Sequence, residues 1–299
     1  MKERILFIGL VIAFVLAVPA FYYLLFMREL TAPNYRRVLP RAPRSLVVQI
    51  QPPSREVPIA FSLNEVSGKV EVAHGRGAFA TAEVGLVLSA EERIRTDATA
   101  RAVMSMPGLF AIELDAGSEF QVKSLAQGVA RFLLEQGMMA ADVTEKRDRW
   151  LEVAASSALA RTRGAYFRLS HDQDGLVALA TVRGSVEVSA AGRVIQVKEG
   201  YSTRVQKNRP PADPLPTPSQ LLLRVRWPEQ SALSSDEVPV DGYTAPGARV
   251  RVDGAAVMVD SQGHFYKMVS LKAGKHRIRI ESMDVGGNRS AAESPAAKK

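Results

Sequence analysis

The chain has 299 residues, of which 46% are hydrophobic, 23% are charged and none is cysteine. This composition excludes wholesale disorder, disulfides, thiolate nucleophiles and cysteine-based zinc sites. The net charge of +8 raises nucleic-acid binding, but residues 28–57 hold six arginines against two glutamates, whereas residues 58–205 hold 17 basic and 18 acidic side chains. A nucleic-acid site needs a basic patch on a folded face, so no nucleic-acid partner is expected. A basic run beside a membrane instead attracts anionic headgroups.

After a four-residue tail (1–4), residues 5–27 read ILFIGLVIAFVLAVPAFYYLLFM, without a charge. At a helical rise of about 1.5 Å per residue the run spans roughly 34 Å, enough for a hydrocarbon core of about 30 Å. Tyr22 and Tyr23 fall where amphipathic rings suit the interface. The expectation is a single transmembrane helix over 5–27, with the lipid bilayer as partner. The rival reading is a leader cleaved after Val18-Pro19-Ala20, but the apolar run continues past Ala20, where a leader turns polar. Residues 28–57 form a stalk carrying Pro33, Pro40, Pro43, Pro52 and Pro53 among Arg36, Arg37, Arg41, Arg44 and Arg55. Such proline density opposes helix and central strand, and its arginines face anionic headgroups. LVVQI (46–50) is a weak strand candidate.

From 58 to 205 the pattern has period two, as in half-buried strands. Val70 and Val72, then Phe110, Ile112 and Leu114, then Phe120 and Val122, and later Val186 and Val188 alternate with polar or small residues. Glycines, among them Gly68, Gly108, Gly117, Gly137, Gly164 and Gly184, punctuate these runs. The pattern predicts an all-β domain: sandwich, roll or short β-helix. VSGKVEV (66–72) recurs as VRGSVEV (182–188), an echo that marks equivalent strands at two ends of one domain. EKRDR (145–149) suits a solvated loop or a helical turn.

This block resembles the FecR family of envelope β domains. GLVLSAEERIRTDATARAVMSMPGLFAIELDAGSEFQV (85–122) is similar to that family's succession of strands, a threonine-containing turn and a glycine turn. LEVAASSALARTRGAYFRLS (151–170) resembles the stretch ending Gly-Thr-x-Phe-x-Val, with Ala165 for threonine and Leu169 for valine. TVRGSVEVSAAGRVIQVKEGYSTRV (181–205) resembles the closing segments. These residues are turns and strand cores, so the resemblance implies a fold rather than an activity.

Residues 206–219 contain Pro210, Pro211, Pro214, Pro216 and Pro218 and read as a semi-rigid linker. Alternation returns over 220–288, with six or seven short strands, a β-sandwich signal. Residues 238–288 are similar to bacterial immunoglobulin-like domains, through Gly242–Ala248, Asp253-Gly254, Asp260–Phe265 and Asp284–Asn288. The tail 289–299 is expected to be disordered.

Little in the sequence points to catalysis. His74, His171, His264 and His276 form no close-spaced ligand pair and read as plain surface histidines. Asp260-Ser261-Gln262-Gly263 offers too few carboxylates for calcium and reads as a turn with Asp bonding its own backbone. Asp284 reads likewise. Glu91 and Glu92 are adjacent, so on a strand they face opposite ways. Asp172 and Asp174 share a face, but HDQDG (171–175) reads as a solvated hairpin loop. GRGAFA (75–80) lacks the strand–turn–helix context of a dinucleotide fingerprint. No serine elbow or phosphate-binding loop occurs. No catalytic, cofactor-binding or metal-binding residue is therefore assigned, and no cofactor is expected.

The combined expectation is a non-catalytic protein anchored once in a bacterial inner membrane, with periplasmic β domains that bind an envelope protein or glycan. The alternative, implied by the FecR resemblance, is transmembrane signalling through a partner membrane protein, since residues 1–4 are too short to contact a sigma factor. The positive-inside count opposes the outward orientation, because the stalk is richer in arginine than the N-terminus. The envelope resemblance favours it, and only Arg28 lies beside the anchor.

Overall fold

The computed structural model describes residues 60–227, 237–270, 275–294 and 297–298. The tail 1–4, the anchor 5–27 and the whole of the stalk 28–57, with its LVVQI segment, lie outside them. Among the described residues all regular structure is β, and no helix is long and apolar enough to cross a membrane. Val57–Lys299 forms one compact unit.

Its first part is a 15-stranded sheet. The strands are β1 (Ser62–Ser67), β2 (Val70–His74), β3 (Ala80–Thr81), β4 (Glu92–Thr96) and β5 (Arg101–Met106). Then come β6 (Phe110–Leu114), β7 (Glu119–Ala126), β8 (Val129–Val143), β9 (Trp150–Ala155) and β10 (Ala158–Thr162). The last are β11 (Ala165–His171), β12 (Val177–Ala190), β13 (Arg193–Lys198), β14 (Tyr201–Val205) and β15 (Leu215–Pro216). The loop at 144–149 carries the EKRDR cluster, with no helical turn.

Two long strands make this sheet close on itself. The first half of β8 pairs with β7 and, in parallel, with β9, while its second half pairs with β6 and β11. β12 likewise pairs first with β11 and β14, then with β13. Each needs a corner. Gly137 has φ +104°, and a Cβ there would overlap Ser118; Gly184 has φ +81°, and a Cβ would meet the Gly164 carbonyl at 2.7 Å. Only glycine fits such positions. The sequence reading placed these two glycines between strands; they lie inside them.

The two layers so formed enclose one core. Phe132 on β8 lies 5.5 Å from Phe61, 5.6 Å from Phe110 and 5.2 Å from Phe120, centroid to centroid. The alternation expected from sequence is met: Phe110, Ile112 and Leu114 are buried while Ala111 and Glu113 are not. The sequence echo has a structural meaning too. Residues 66–72 carry the chain from β1, paired with β5, to β2, paired with β4. Residues 182–188 carry β12 across the same two layers.

The proline-rich segment 206–219 lies along the edge of this sheet. Leu215–Pro216 pairs with β14, and the segment's carbonyls accept from neighbouring side chains: Arg193 to Pro211 (2.9 Å), Thr203 to Ala212 (2.7 Å) and Asn288 to Pro218 (2.6 Å). Proline lacks a donor but keeps its acceptor, so an edge position suits it.

The second part contains β16 (Leu223–Arg226), β17 (Glu237–Thr244), β18 (Arg249–Val252), β19 (Ala255–Val257) and β20 (His264–Ser270). It continues with β21 (Lys275–His276), β22 (Arg279–Met283), β23 (Arg289–Glu293) and β24 (Ala297–Lys298). The sheets β16-β17-β20 and β19-β18-β22-β23 share a core of Val238, Val240, Val250, Val252, Phe265, Ile278 and Ile280 with their neighbours. The tail expected to be disordered from 289 instead begins with a strand: Arg289–Glu293 pairs with β22 in register. Its small, alternating side chains suit a sheet edge, and backbone pairing replaces the apolar signal that its sequence lacks.

Candidate functional site

The first part presents an outer face to the second. Across it, Glu113 on β6 registers with Ala140 on β8, and Ala140 with Arg168 on β11. Alanine between two charged side chains leaves the floor open. On the second part, RVRV (249–252) buries Val250 and Val252, so Arg249 and Arg251 project outward. On β22, Ile280 and Ser282 are buried, leaving Arg279, Glu281 and Met283 on the outer side. Register then builds two rows, Arg251–Glu281–Ala291 and Arg249–Met283–Arg289.

These faces enclose a cleft of about 720 Å³. Six arginines line it: Arg101, Arg168, Arg249, Arg251, Arg279 and Arg289; the lining carboxylates are Glu113, Asp115 and Glu281. Met138 and Met283 add apolar surface. Arg101 bonds Glu113 at 2.7 Å, Arg279 bonds Glu281 at 2.6 Å, and Arg251 pairs with Asp115. The Glu113 bond raises the Arg101 pKa against the opposing effect of burial. Arg168 donates to the Tyr166 hydroxyl at 3.0 Å and lies over that ring. Burial pushes the Arg249 pKa below its ordinary value; Asp115 opposes the shift and Arg251 adds to it.

The same contacts fasten the two parts together. Arg249 donates to the Ala116 carbonyl at 2.8 Å, the Ser170 hydroxyl to the Gly247 carbonyl at 2.7 Å, and the Ala256 N–H to the Ala98 carbonyl at 2.7 Å. Met138, Ala178, Ala180 and Val285 form a small buried cluster. Gly247 packs so closely that a Cβ would lie 2.5 Å from the Ala178 Cβ.

The residues singled out from sequence lie apart from one another. Asp260 accepts from the Gln262 and His264 N–H groups, and Asp284 from that of Asn288, as turn residues do. Asp172 caps Asp174 and Leu176, but HDQDG is not simply solvated, because the Asp174 carboxylate accepts the Ser261 N–H at 2.9 Å. Burial raises the Asp172 pKa. His264 is more engaged than a plain surface histidine: its Nε2 lies 2.6 Å from Asp241, and its ring lies tilted against Tyr243 with the centroids 4.9 Å apart. His171 Nδ1 lies 3.0 Å from the Leu134 carbonyl; His74 is exposed, and His276 lies on β21. Glu91 occupies a turn at φ +67° while Glu92 opens β4. GRGAFA is the turn between β2 and β3, with Phe79 beneath Arg93 and Arg95. Among the described residues no group of three His, Asp or Glu could hold a metal ion.

Sequence reasoning missed the arginine face. Its signal was present in R-V-R-V (249–252) and R-I-R-I-E (277–281), where each buried aliphatic implies an arginine on the opposite side. Attention to the apolar half of the alternation hid the charged half.

The cleft's first wall, β5, β6, β8 and β11, falls inside one matched segment. Residues 92–187 match the family model described as FecR protein. No curated protein matches the chain. Among solved structures, a crystal structure described as a candidate anti-sigma factor from Parabacteroides distasonis is similar, with TM-score 0.37 and 18% identity, covering 42% of this chain and 58% of that one. A polysaccharide lyase gives TM-score 0.21 and 9% identity, covering 80% of this chain and 40% of that one. The chain thus spans less than two thirds of either structure's length.

Proposed function

We propose that this chain is a non-catalytic regulatory protein of FecR-type transmembrane signalling. In this reading residues 5–27 cross the bacterial inner membrane once, and the β unit stands in the periplasm. The observation that carries it is the FecR match over 92–187, which begins with β4 and runs into β12, taking in the whole of β8 and its corner at Gly137. The segment 220–288 is read as an immunoglobulin-like module, supported by its turn motifs and by two sheets around one aliphatic core. Signalling passes to the cytoplasm through a partner membrane protein.

The test compares transcripts of the native host with and without the chain. A block of genes under one sigma factor changing together is the expected result, and transcripts without such a block overturn the reading. Protease treatment of intact spheroplasts tests the orientation: digestion of a C-terminal tag before lysis is expected, whereas protection until lysis puts the β unit in the cytoplasm. A second reading, binding or scaffolding of an envelope component, is favoured by the cleft between the two β parts.

A further inference from the structure

We infer that the cleft between the two β parts is a binding site for a small polyanion, a ligand carrying two or more carboxylate or phosphate groups. The inference stands apart from the signalling role. Binding is measured on purified protein and signalling in cells, so either can fail alone.

Six guanidinium groups and three carboxylates line the cleft. Each carboxylate is taken: Glu113 by Arg101, Asp115 by Arg251 and Glu281 by Arg279. Arg168, Arg249 and Arg289 remain without a carboxylate partner among the described residues. Arg168 and Arg249 bond only neutral oxygens. The Arg249 Nε is buried with no hydrogen-bond partner among the described residues. A half-desolvated cation with neutral partners retains most of its unmet attraction for an anion, because the field is weakly screened there. Burial lowers the Arg249 pKa, with Asp115 opposing the shift and Arg251 adding to it.

Guanidinium forks match the planar, two-oxygen edge of carboxylate and phosphate. The volume lies within the range of about 300–1,000 Å³ usual for small-ligand clefts, and the methionines supply adaptable apolar contact between the charged rows. A concave site of this size suits a compact ligand rather than the broad contact of a folded protein partner.

The experiment is calorimetric titration of the full chain in detergent with pyrophosphate, trigalacturonate and maltotriose. Pyrophosphate or trigalacturonate is expected to bind, more weakly as ionic strength rises from about 0.05 to about 0.3 M. The tighter of the two distinguishes a phosphate source from a sugar-acid source. The double variant Arg168→Gln/Arg289→Gln is expected to weaken that binding by about tenfold or more. Glu281→Gln, which frees Arg279 for the ligand, is expected to tighten it severalfold. The pair of opposite effects separates binding from damage to the fold. Neither anion binding better than maltotriose, or binding unmoved by the double variant, would overturn the inference.

Discussion

The two β parts solve burial differently. The first encloses five phenylalanines, four of them in ring contact, between layers joined by strands that turn corners at Gly137 and Gly184. The second has short strands over a core that is mostly valine and isoleucine, and it leans on the first through Gly247, Arg249 and Arg251. Continuous strands spread stability across a whole layer, while a small aliphatic core draws part of its stability from its neighbour. The arginines that dock the second part also line the cleft, so assembly and binding share one surface.

The sharpest way to break this comparison is Phe132→Ala. It removes a ring that touches three others and is expected to cost about 3–5 kcal/mol in the first part, read as a lower urea midpoint. Equal loss of protection in both parts by hydrogen exchange would mean that they unfold as one; the contrast requires the second part to follow, not lead.

Gly247→Ala tests the contact itself. Its φ is +83° and the new methyl would press on Ala178, so a cost of about 2–4 kcal/mol is expected. Faster exchange in β17–β23 with β1–β14 unchanged is the predicted pattern. Uniform exchange would show that the docking is not where the second part gains its stability.

The Asp115–Arg251 pair is partly buried. A double-mutant cycle with Asp115→Asn and Arg251→Gln is expected to give a coupling of about 1 kcal/mol, weaker in high salt. A coupling of zero would leave docking to the apolar cluster and the backbone bonds.

The smallest effect concerns Asp172, whose carboxyl pKa is raised chiefly by burial. A raised acid pKa means that the folded state holds a proton which the unfolded chain has lost, so stability falls as pH rises above about 3.8 toward the folded value. Asp172→Asn keeps an acceptor for the Asp174 and Leu176 N–H groups and removes that loss. Its melting temperature should gain on the parent's as pH goes from about 3 to about 6. A gap that shrinks with pH would contradict the buried setting of Asp172.

Much of the strand pattern was legible because burial on a strand is local. Phe110, Ile112 and Leu114 face one way whatever else the chain does, and the same holds for Val70 and Val72 or Val186 and Val188. The corner glycines were visible as residues but not as corners, since a glycine inside a long strand and a glycine between two short ones look alike. The strand at 289–293 escaped because its side chains are small and polar and its stability comes from pairing with β22. The proline segment hid its role for a related reason: its carbonyls accept from side chains outside the segment, those of Arg193, Thr203 and Asn288.

The β character, the composition of both cores and the turns built on Asp260 and Asp284 are written in the order of residues, because all of them depend on neighbours a few residues away. The cleft comes from long-range packing alone. Asp115 and Arg251 are 136 residues apart, and their meeting depends on how two finished surfaces dock. Charge that is nearly balanced along residues 58–287, with 28 basic and 27 acidic side chains, becomes unbalanced in space, because folding pairs three of the six cleft arginines and leaves three facing the same gap.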